Sequence, residues 1–178
     1  MFIFGSITGL RFSDLIKLSK NNLEKRDGNF YLVTKSKKTK QKSFVKLPHF
    51  LIELIKRYKK SKTLLPPISL YRFNANIKKI CLLAGWDYPV EKWRDKEGIS
   101  KKIRNGNSET FRFCDLVSSH IMRRTAITTM LTLGVPELIV RKVSGHSDGS
   151  KEFFRYVELA QQYIDKEINK AHEKLFLV

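Results

Sequence analysis

The residues that could perform chemistry lie close together in the last third of the chain. His120 and Arg123 are three positions apart, His146 follows Gly145, and Tyr156 comes ten residues after His146. A tyrosine hydroxyl can attack phosphorus and hold the phosphate covalently. Arginine matches the charge and shape of phosphate oxygens, and histidine can act as a base or as a hydrogen-bond donor to the same group. These residue types favour phosphoryl transfer through a tyrosine nucleophile.

A second chemically informative segment lies near the start of the chain. Thr8, Gly9, Leu10 and Arg11 are consecutive, and Asp14 follows three positions after the arginine. An isolated arginine at the end of a helix is most often solvated. The downstream residues change that interpretation, because two arginines from different segments could hold one phosphate. Asp14 is expected to support the arginine or the helix start.

Together these segments resemble the catalytic set of the tyrosine recombinase (phage integrase) family. The resemblance covers nearly the whole chain and implies catalytic roles for Arg11, His120, Arg123, His146 and Tyr156. One helical turn would place His120 and Arg123, the family's His-x-x-Arg box, on the same face.

Two details differ from the usual pattern of the family. The Leu-Gly-His box occurs here as Ser144-Gly145-His146, in which serine replaces a packing residue and the histidine is kept. Tyr156 lies one residue farther from His146 than is common, and Tyr163 is the alternative nucleophile downstream.

The family resemblance also implies a catalytic lysine in the turn of an early β-hairpin. Such a lysine protonates the leaving oxygen when nearby positive charge lowers its pKa. Lys38 precedes Thr39 as in a frequent family signature, whereas counting back from Leu47 and Pro48 selects Lys40; we choose Lys38. The other basic residues here and beside the His-x-x-Arg box are expected to contact DNA phosphates: Lys35, Lys37, Lys40, Lys42 and Arg124.

The composition agrees with a polyanionic partner. Lys and Arg number 35 against 17 Asp and Glu, which gives a net charge of +18 on 178 residues. A charge this large opposes compaction unless a polyanion binds. Two cysteines, Cys81 and Cys114, exclude a disulfide framework and a Cys-rich zinc site. No apolar run is long enough to span a membrane and no signal peptide is present, so we expect a soluble, cytoplasmic protein.

The hydrophobic patterns predict a mainly α-helical α+β fold, with helices around a small antiparallel sheet. Strands are predicted at 30–34 and 44–47, and a short hairpin within 86–117 with its turn near 105–107. The predicted helical segments are 2–20 with a new start at Ser13, 50–58, 77–84, 118–133, 136–145 and a last helix that carries Tyr156.

We expect residues 1–178 to form one tyrosine recombinase catalytic domain, without the family's N-terminal core-binding domain and the first part of the catalytic domain. The implied activity is site-specific recombination or integration of double-stranded DNA through a covalent 3′-phosphotyrosine, with no metal or nucleotide cofactor. A homo-tetramer on DNA and a monomer when free are implied as well. Two alternatives are an inactive, truncated DNA-binding module and a type IB topoisomerase, although the His-x-x-Arg box favours the recombinase.

Overall fold

The computed structural model describes residues 1–35, 42–58, 62–147 and 149–176. The chain divides into two compact units, one formed by Met1–Pro67 with Ile121–Val178 and the other by Ile68–His120. Within the described ranges, no helix has both the length and the apolar character needed to cross a membrane.

Helices predominate and short strands lie between groups of helices, in agreement with the predicted mainly α-helical α+β fold. The helices are α1 (Phe2–Thr8), α2 (Phe12–Leu15), α3 (His49–Lys56), α4 (Leu70–Leu83), α5 (Phe113–Leu116), α6 (His120–Thr132), α7 (Glu137–Ser144) and α8 (Lys151–Phe176). The strands are β1 (Leu23–Arg26), β2 (Asn29–Lys35), β3 (Lys42–Leu47), β4 (Pro89–Val90), β5 (Lys92–Lys96), β6 (Ile99–Ile103) and β7 (Phe111–Arg112).

The first unit begins with two short helices rather than the longer helical region expected over residues 2–20. Gly9 adopts a left-handed conformation with φ 66° and ends α1. The second helix, α2, extends only to Leu15, and a single 3₁₀ turn follows at Lys20–Asn22. The predicted extent was wrong because the apolar residues at 15, 16 and 18 fit a helical spacing without requiring a continuous helix.

A three-stranded antiparallel sheet follows in the order β1-β2-β3. Leu32 pairs with Val45 and Val33 with Phe44, and burial alternates along β3 as a half-covered strand requires. The Ser43 hydroxyl donates to the Lys142 carbonyl at 2.8 Å, which ties the start of β3 to α7. Both predicted strands are confirmed; β1, whose sequence is mostly charged, was not predicted.

The second unit is built on α4, whose N-terminus is capped by Ser69, since the Ser69 hydroxyl accepts from the Arg72 amide at 3.2 Å. The predicted hairpin within 86–117 is present, but its strands β5 and β6 meet at Glu97 and Gly98. The segment around 105–107 forms a separate small turn closed by pairing of Asn105 with Ser108. Asn-Gly is the stronger sequence signal for a tight turn, which is why 105–107 was predicted. The hairpin turns instead at Glu97 and Gly98, with φ values of 53° and 79°.

Both cysteines lie in the second unit as buried free thiols, as expected. Burial raises the pKa of the Cys81 thiol.

The core of the first unit joins its last three helices. Ile127 on α6, Val140 on α7, and Phe153 and Tyr156 on α8 form one buried cluster. The proposed nucleophile is therefore packed against the two helices that carry the Arg123 and Ser144-Gly145-His146 segments.

Candidate active site

Arg123 is the structural centre of the candidate site. It lies on α6 and is only 2% exposed. Its Nη1 donates to the carbonyl oxygens of Gly9 at 2.8 Å and Ser144 at 2.6 Å. Its Nη2 lies 3.1 Å from Nδ1 and 2.9 Å from Nε2 of His146. One guanidinium group therefore connects the Thr-Gly-Leu-Arg, His-x-x-Arg and Ser-Gly-His segments.

The positive charge of Arg123 has no acidic hydrogen-bond partner among the described residues. Its partners are two carbonyl oxygens and an imidazole. Burial, followed by the charge of Arg11, lowers the pKa of Arg123 to about 10, while Tyr156, Asp14 and Glu152 act in the opposite direction. The group remains charged at neutral pH, so its charge can act on an anion such as phosphate.

The Thr-Gly-Leu-Arg segment forms the junction between α1 and α2. The Thr8 hydroxyl donates to the Phe4 carbonyl at 2.9 Å, and Gly9 turns the chain so that its own carbonyl faces Arg123. A Cβ atom at Gly9 would lie 3.5 Å from the Ala126 Cβ. Arg11 occupies the N-cap position of α2 and is partly buried. Its charge acts on both Arg123 and Tyr156.

His146 is placed by the sharp end of α7. Gly145 has φ 68°, and the His146 amide donates to the Arg141 carbonyl at 3.0 Å, which turns the imidazole back toward the buried cluster. The His146 ring is 4% exposed. Its centroid lies 5.3 Å from that of Phe153 and 5.9 Å from that of Tyr156.

Tyr156 lies on α8 with its side chain directed into this cluster and is 5% exposed. Burial raises the pKa of its phenol, although the charges of Arg123, Arg124 and Arg11 oppose that shift. The phenol is therefore protonated at neutral pH and would have to lose its proton to act as a nucleophile. The alternative nucleophile, Tyr163, lies on the same helix and is 55% exposed.

Sequence reasoning missed the contact that fastens the start of α8. The Arg141 guanidinium lies 4.0 Å from the centre of the Phe153 ring and 5.1 Å from that of Phe154. It also contacts the Glu137 carboxylate at 3.4 Å. The consecutive aromatic residues and the spacing of Glu137 and Arg141 by four were the available signals.

Ser144 was expected only to replace a packing residue, and that interpretation was wrong. Its hydroxyl lies 2.8 Å from His146 Nδ1 and donates to the Val140 carbonyl at 2.6 Å. Serine can do this because its hydroxyl accepts one hydrogen bond while donating another.

The remaining predicted residues lie elsewhere in the described ranges or outside them. His120 is the exposed first residue of α6 and the last residue of the second unit, while Arg124 is exposed on the same helix. Asp14 lies in the first turn of α2 and is partly buried. Lys35 and Lys42 are exposed and pair across β2 and β3. The structure does not describe Lys37, Lys38 and Lys40, so the choice of catalytic lysine remains a prediction.

Comparison with known proteins finds similarity to a transposase. Transposase B from transposon Tn554, from two strains of Staphylococcus aureus (Mu50 and N315), is 29% identical to it over 171 residues. The match covers 94% of this chain and 25% of the transposase. The chain thus spans about a quarter of the length of these curated relatives.

Solved structures share the fold at low sequence identity. The XerH site-specific recombinase bound to palindromic difH substrate matches with a TM-score of 0.63 at 15% identity, covering 94% of this chain and 43% of XerH. The integrase of transposon Tn1549, in complex with circular intermediate DNA, matches with a TM-score of 0.53 at 13% identity over 87% of this chain and 51% of the integrase. The fold is that of a tyrosine recombinase catalytic domain, as predicted.

A family model extends the comparison along nearly all of the sequence. The model for the phage integrase family matches residues 1–163 of the 178-residue chain. The chain belongs to the phage integrase family.

Proposed function

We propose that residues 1–178 act as the catalytic domain of a site-specific recombinase that cleaves and rejoins double-stranded DNA through a 3′-phosphotyrosine. The observation that carries the proposal is the packing of Tyr156 against His146, with the Arg123 guanidinium on the same imidazole. The three residues come from three separate elements: α6, the end of α7 and α8. The Tn554 transposase and the DNA-bound recombinases described above support the same chemistry.

The proposed cleavage is an exchange of phosphate esters. The Tyr156 oxygen forms a bond to phosphorus, the bond from phosphorus to the 5′ oxygen breaks, and that oxygen leaves as a hydroxyl after receiving a proton. Rejoining is the reverse reaction, with a 5′ hydroxyl displacing the tyrosine. Because the bond energy is kept in the phosphotyrosine, the exchange consumes no further reactant.

Arg123 and Arg11 are proposed to hold the non-bridging phosphate oxygens, where fixed charge lowers the barrier to phosphoryl transfer. By the family resemblance, His120 is proposed to contact the same phosphate. Lys38 is proposed to donate the proton to the leaving oxygen, with Lys40 as the alternative. Asp14 supports Arg11 in this proposal.

Duplex DNA is the proposed partner, and the net charge of +18 supports it. Lys35, Lys42 and Arg124 are exposed and available for phosphate contacts, and Lys37 and Lys40 are proposed to join them. Full exchange between two duplexes breaks four strands, and each chain supplies one Tyr156. We therefore propose four copies on DNA, a monomer when free, and action in the cytoplasm.

A covalent adduct tests the nucleophile. The chain is incubated with nicked suicide duplexes of randomised sequence, whose short 5′ fragment diffuses away after cleavage and prevents rejoining. We expect a protein-DNA adduct that survives denaturant, and sequencing of the trapped DNA would define the target. Tyr156→Phe should abolish the adduct because it removes only the attacking hydroxyl.

Matched variants separate the nucleophile from its neighbours. Tyr163→Phe, on the same helix, should leave the adduct unchanged, and Arg123→Ala should reduce it by about 10³-fold because one phosphate clamp is lost. Arg124→Ala is the control for Arg123→Ala, because Arg124 is the exposed neighbour of Arg123. This variant should mainly weaken DNA binding. An adduct that persists in Tyr156→Phe and disappears in Tyr163→Phe would assign the nucleophile to Tyr163. Relaxation of supercoiled plasmid by the chain without site preference would favour a topoisomerase.

A further inference from the structure

Ser144 occupies a position from which it can control the chemistry of His146. The serine is the last residue of α7, is 2% exposed, and lies two residues before the histidine. Its backbone carbonyl accepts from Arg123 Nη1 at 2.6 Å. Its hydroxyl oxygen lies 2.8 Å from His146 Nδ1. One residue thus contacts both Arg123 and His146.

The hydroxyl hydrogen of Ser144 is directed to the backbone of its own helix. The Val140 carbonyl can only accept a hydrogen bond, and it lies 2.6 Å from the Ser144 oxygen. The serine has a single hydrogen to donate, so it donates toward Val140 and accepts from His146. Nδ1 of the imidazole therefore carries a hydrogen.

The contact with Arg123 is compatible with this assignment. A guanidinium nitrogen only donates, and Arg123 Nη2 lies 2.9 Å from His146 Nε2 and 3.1 Å from Nδ1. An imidazole with hydrogen on Nδ1 has its lone pair on Nε2, the nearer of the two nitrogens. The opposite tautomer would set the lone pair of Nδ1 against that of the serine oxygen, so the Ser144 hydroxyl selects the first form.

We infer that Ser144 is a positioning residue that holds His146 in the tautomer with hydrogen on Nδ1 and the lone pair on Nε2. The catalytic consequence rests on the proposed function. When phosphate occupies the site and contacts Arg123, Nε2 is the nitrogen that can take up a proton or, once protonated, donate a hydrogen bond to the phosphate. The serine determines which nitrogen does so.

The ring contacts of His146 do not distinguish its two nitrogens. The neighbouring rings of Phe153 and Tyr156 contact the imidazole through ring faces and edges at 5.3 and 5.9 Å between centroids. The Arg141 carbonyl accepts from the backbone amide of His146 rather than from its ring. The Ser144 hydroxyl differs from these contacts because it lies on Nδ1.

The tautomer can be read directly by nitrogen NMR on the free chain with isotope-labelled histidine, recorded where the imidazoles are neutral. The His146 signals are assigned by their loss in His146→Gln. We expect the wild-type Nδ1 to show the shift of a protonated nitrogen and Nε2 that of an unprotonated one. The reverse assignment in the wild-type chain would overturn the inference without any variant at Ser144.

Variants at Ser144 test the cause. Ser144→Ala should lower the ratio of the Nδ1-protonated to the Nε2-protonated form by about tenfold, the ratio that one hydrogen bond of ordinary strength sustains. Ser144→Thr keeps the hydroxyl and should restore the wild-type ratio, and Ser147→Ala, at an exposed serine next to His146, should not change it. An unchanged ratio in a folded Ser144→Ala chain would show that the hydroxyl does not set the tautomer.

The adduct assay then connects the tautomer to catalysis. Ser144→Ala should slow adduct formation by about tenfold with DNA affinity unchanged, and Ser144→Thr should recover most of the rate. A shifted tautomer with an unchanged rate would overturn the catalytic role. The NMR measurement uses no DNA, so failure of the wild-type chain to form any adduct would count against the proposed function and leave the tautomer result standing.

Discussion

Tyr156 combines a buried hydroxyl with a site rich in positive charge. Burial raises the pKa of the phenol more strongly than the nearby arginines lower it. The proton is therefore retained at neutral pH and would have to be transferred in the proposed attack on phosphorus. His146 is adjacent, with ring centroids 5.9 Å apart, and its Nε2 lone pair offers one acceptor for that proton.

The raised pKa of Tyr156 predicts a specific dependence of stability on pH. The folded state binds the phenolic proton more tightly than the unfolded state does, so this contribution is present below the ordinary tyrosine value and lost as pH rises above about 10. Urea unfolding from about pH 8 to 11 should show wild type losing stability relative to Tyr156→Phe only in the alkaline part of the range.

Tyr163→Phe provides the control, because the Tyr163 ring is largely exposed. The free energy of unfolding of this variant should change with pH in the same way as that of wild type across this range. Parallel curves for wild type and Tyr156→Phe would contradict the burial argument.

The side chains of the candidate site could be predicted better than the groups that hold them. Arg123, His146 and Tyr156 were identified because residue type and spacing carry their signature. The hydrogen-bond acceptors of Arg123 were not predicted. They are the backbone carbonyls of Gly9 and Ser144, and every residue carries such a carbonyl. Their placement depends on how three helix ends meet, which no local pattern encodes.

The junction between α1 and α2 shows how a helix end serves the site. Gly9 holds φ 66°, a conformation that costs other L-residues energy, and presents its carbonyl to Arg123. Gly134, after α6, has φ 78° and nothing within 4 Å of an added Cβ. Both glycines therefore adopt a positive φ, and the Gly9 carbonyl in addition accepts a hydrogen bond from Arg123.

Gly9→Ala and Gly134→Ala should cost similar amounts of stability, roughly 1–2 kcal/mol each, because both force alanine into the left-handed region. The added Cβ at Gly9 would be in ordinary contact at 3.5 Å, which adds little strain. Only Gly9→Ala should also slow adduct formation, since relief of the strain shifts the carbonyl that holds Arg123. Unfolding and adduct assays on both variants make the comparison, and equal rates would argue against this role for the carbonyl.

For the helices and strands, the sequence predicted the type of each element better than its first and last residues. The strands β2 and β3 were predicted from their β-branched and aromatic residues. The helix carrying Arg123 was predicted from the serines that precede it and from Gly134 and Pro136, which follow it. The strand β1 was missed because Glu24, Lys25 and Arg26 lie on the exposed edge of the sheet and show no alternation. Pairing with β2, rather than its own sequence, makes it a strand.

Basic side chains are spread over the folded elements in the part of the chain that the structure describes. Lysines and arginines recur along the described helices and strands, and the net charge is +18. Lys35 and Lys42 face each other at the ends of β2 and β3, so their charges reinforce one another. This surface favours association with a polyanion through the release of its counterions.

Affinity for duplex DNA should depend strongly on salt. Raising the salt from about 50 to 200 mM should weaken binding at least tenfold if several phosphates are contacted, measured by fluorescence anisotropy with a labelled duplex. Replacing both Lys35 and Lys42 by Gln should reduce the slope of log affinity against log salt by about 2, near one for each lost phosphate contact. Tyr156→Phe should leave the slope unchanged. Binding that is insensitive to salt would contradict this account of the charge.

The absence of an acidic hydrogen-bond partner for Arg123 among the described residues has a thermodynamic consequence. Its lowered pKa means that the charged guanidinium costs more free energy in the folded chain than in the unfolded chain. A phosphate group bound to the guanidinium would lower this free-energy cost, and it would do so only in the folded state. DNA is then linked to folding as well as to reaction, and a ligand at about a hundred times its dissociation constant adds roughly 2.7 kcal/mol to stability. The site proposed to cleave the phosphate backbone would thereby also couple the stability of the domain to the presence of DNA.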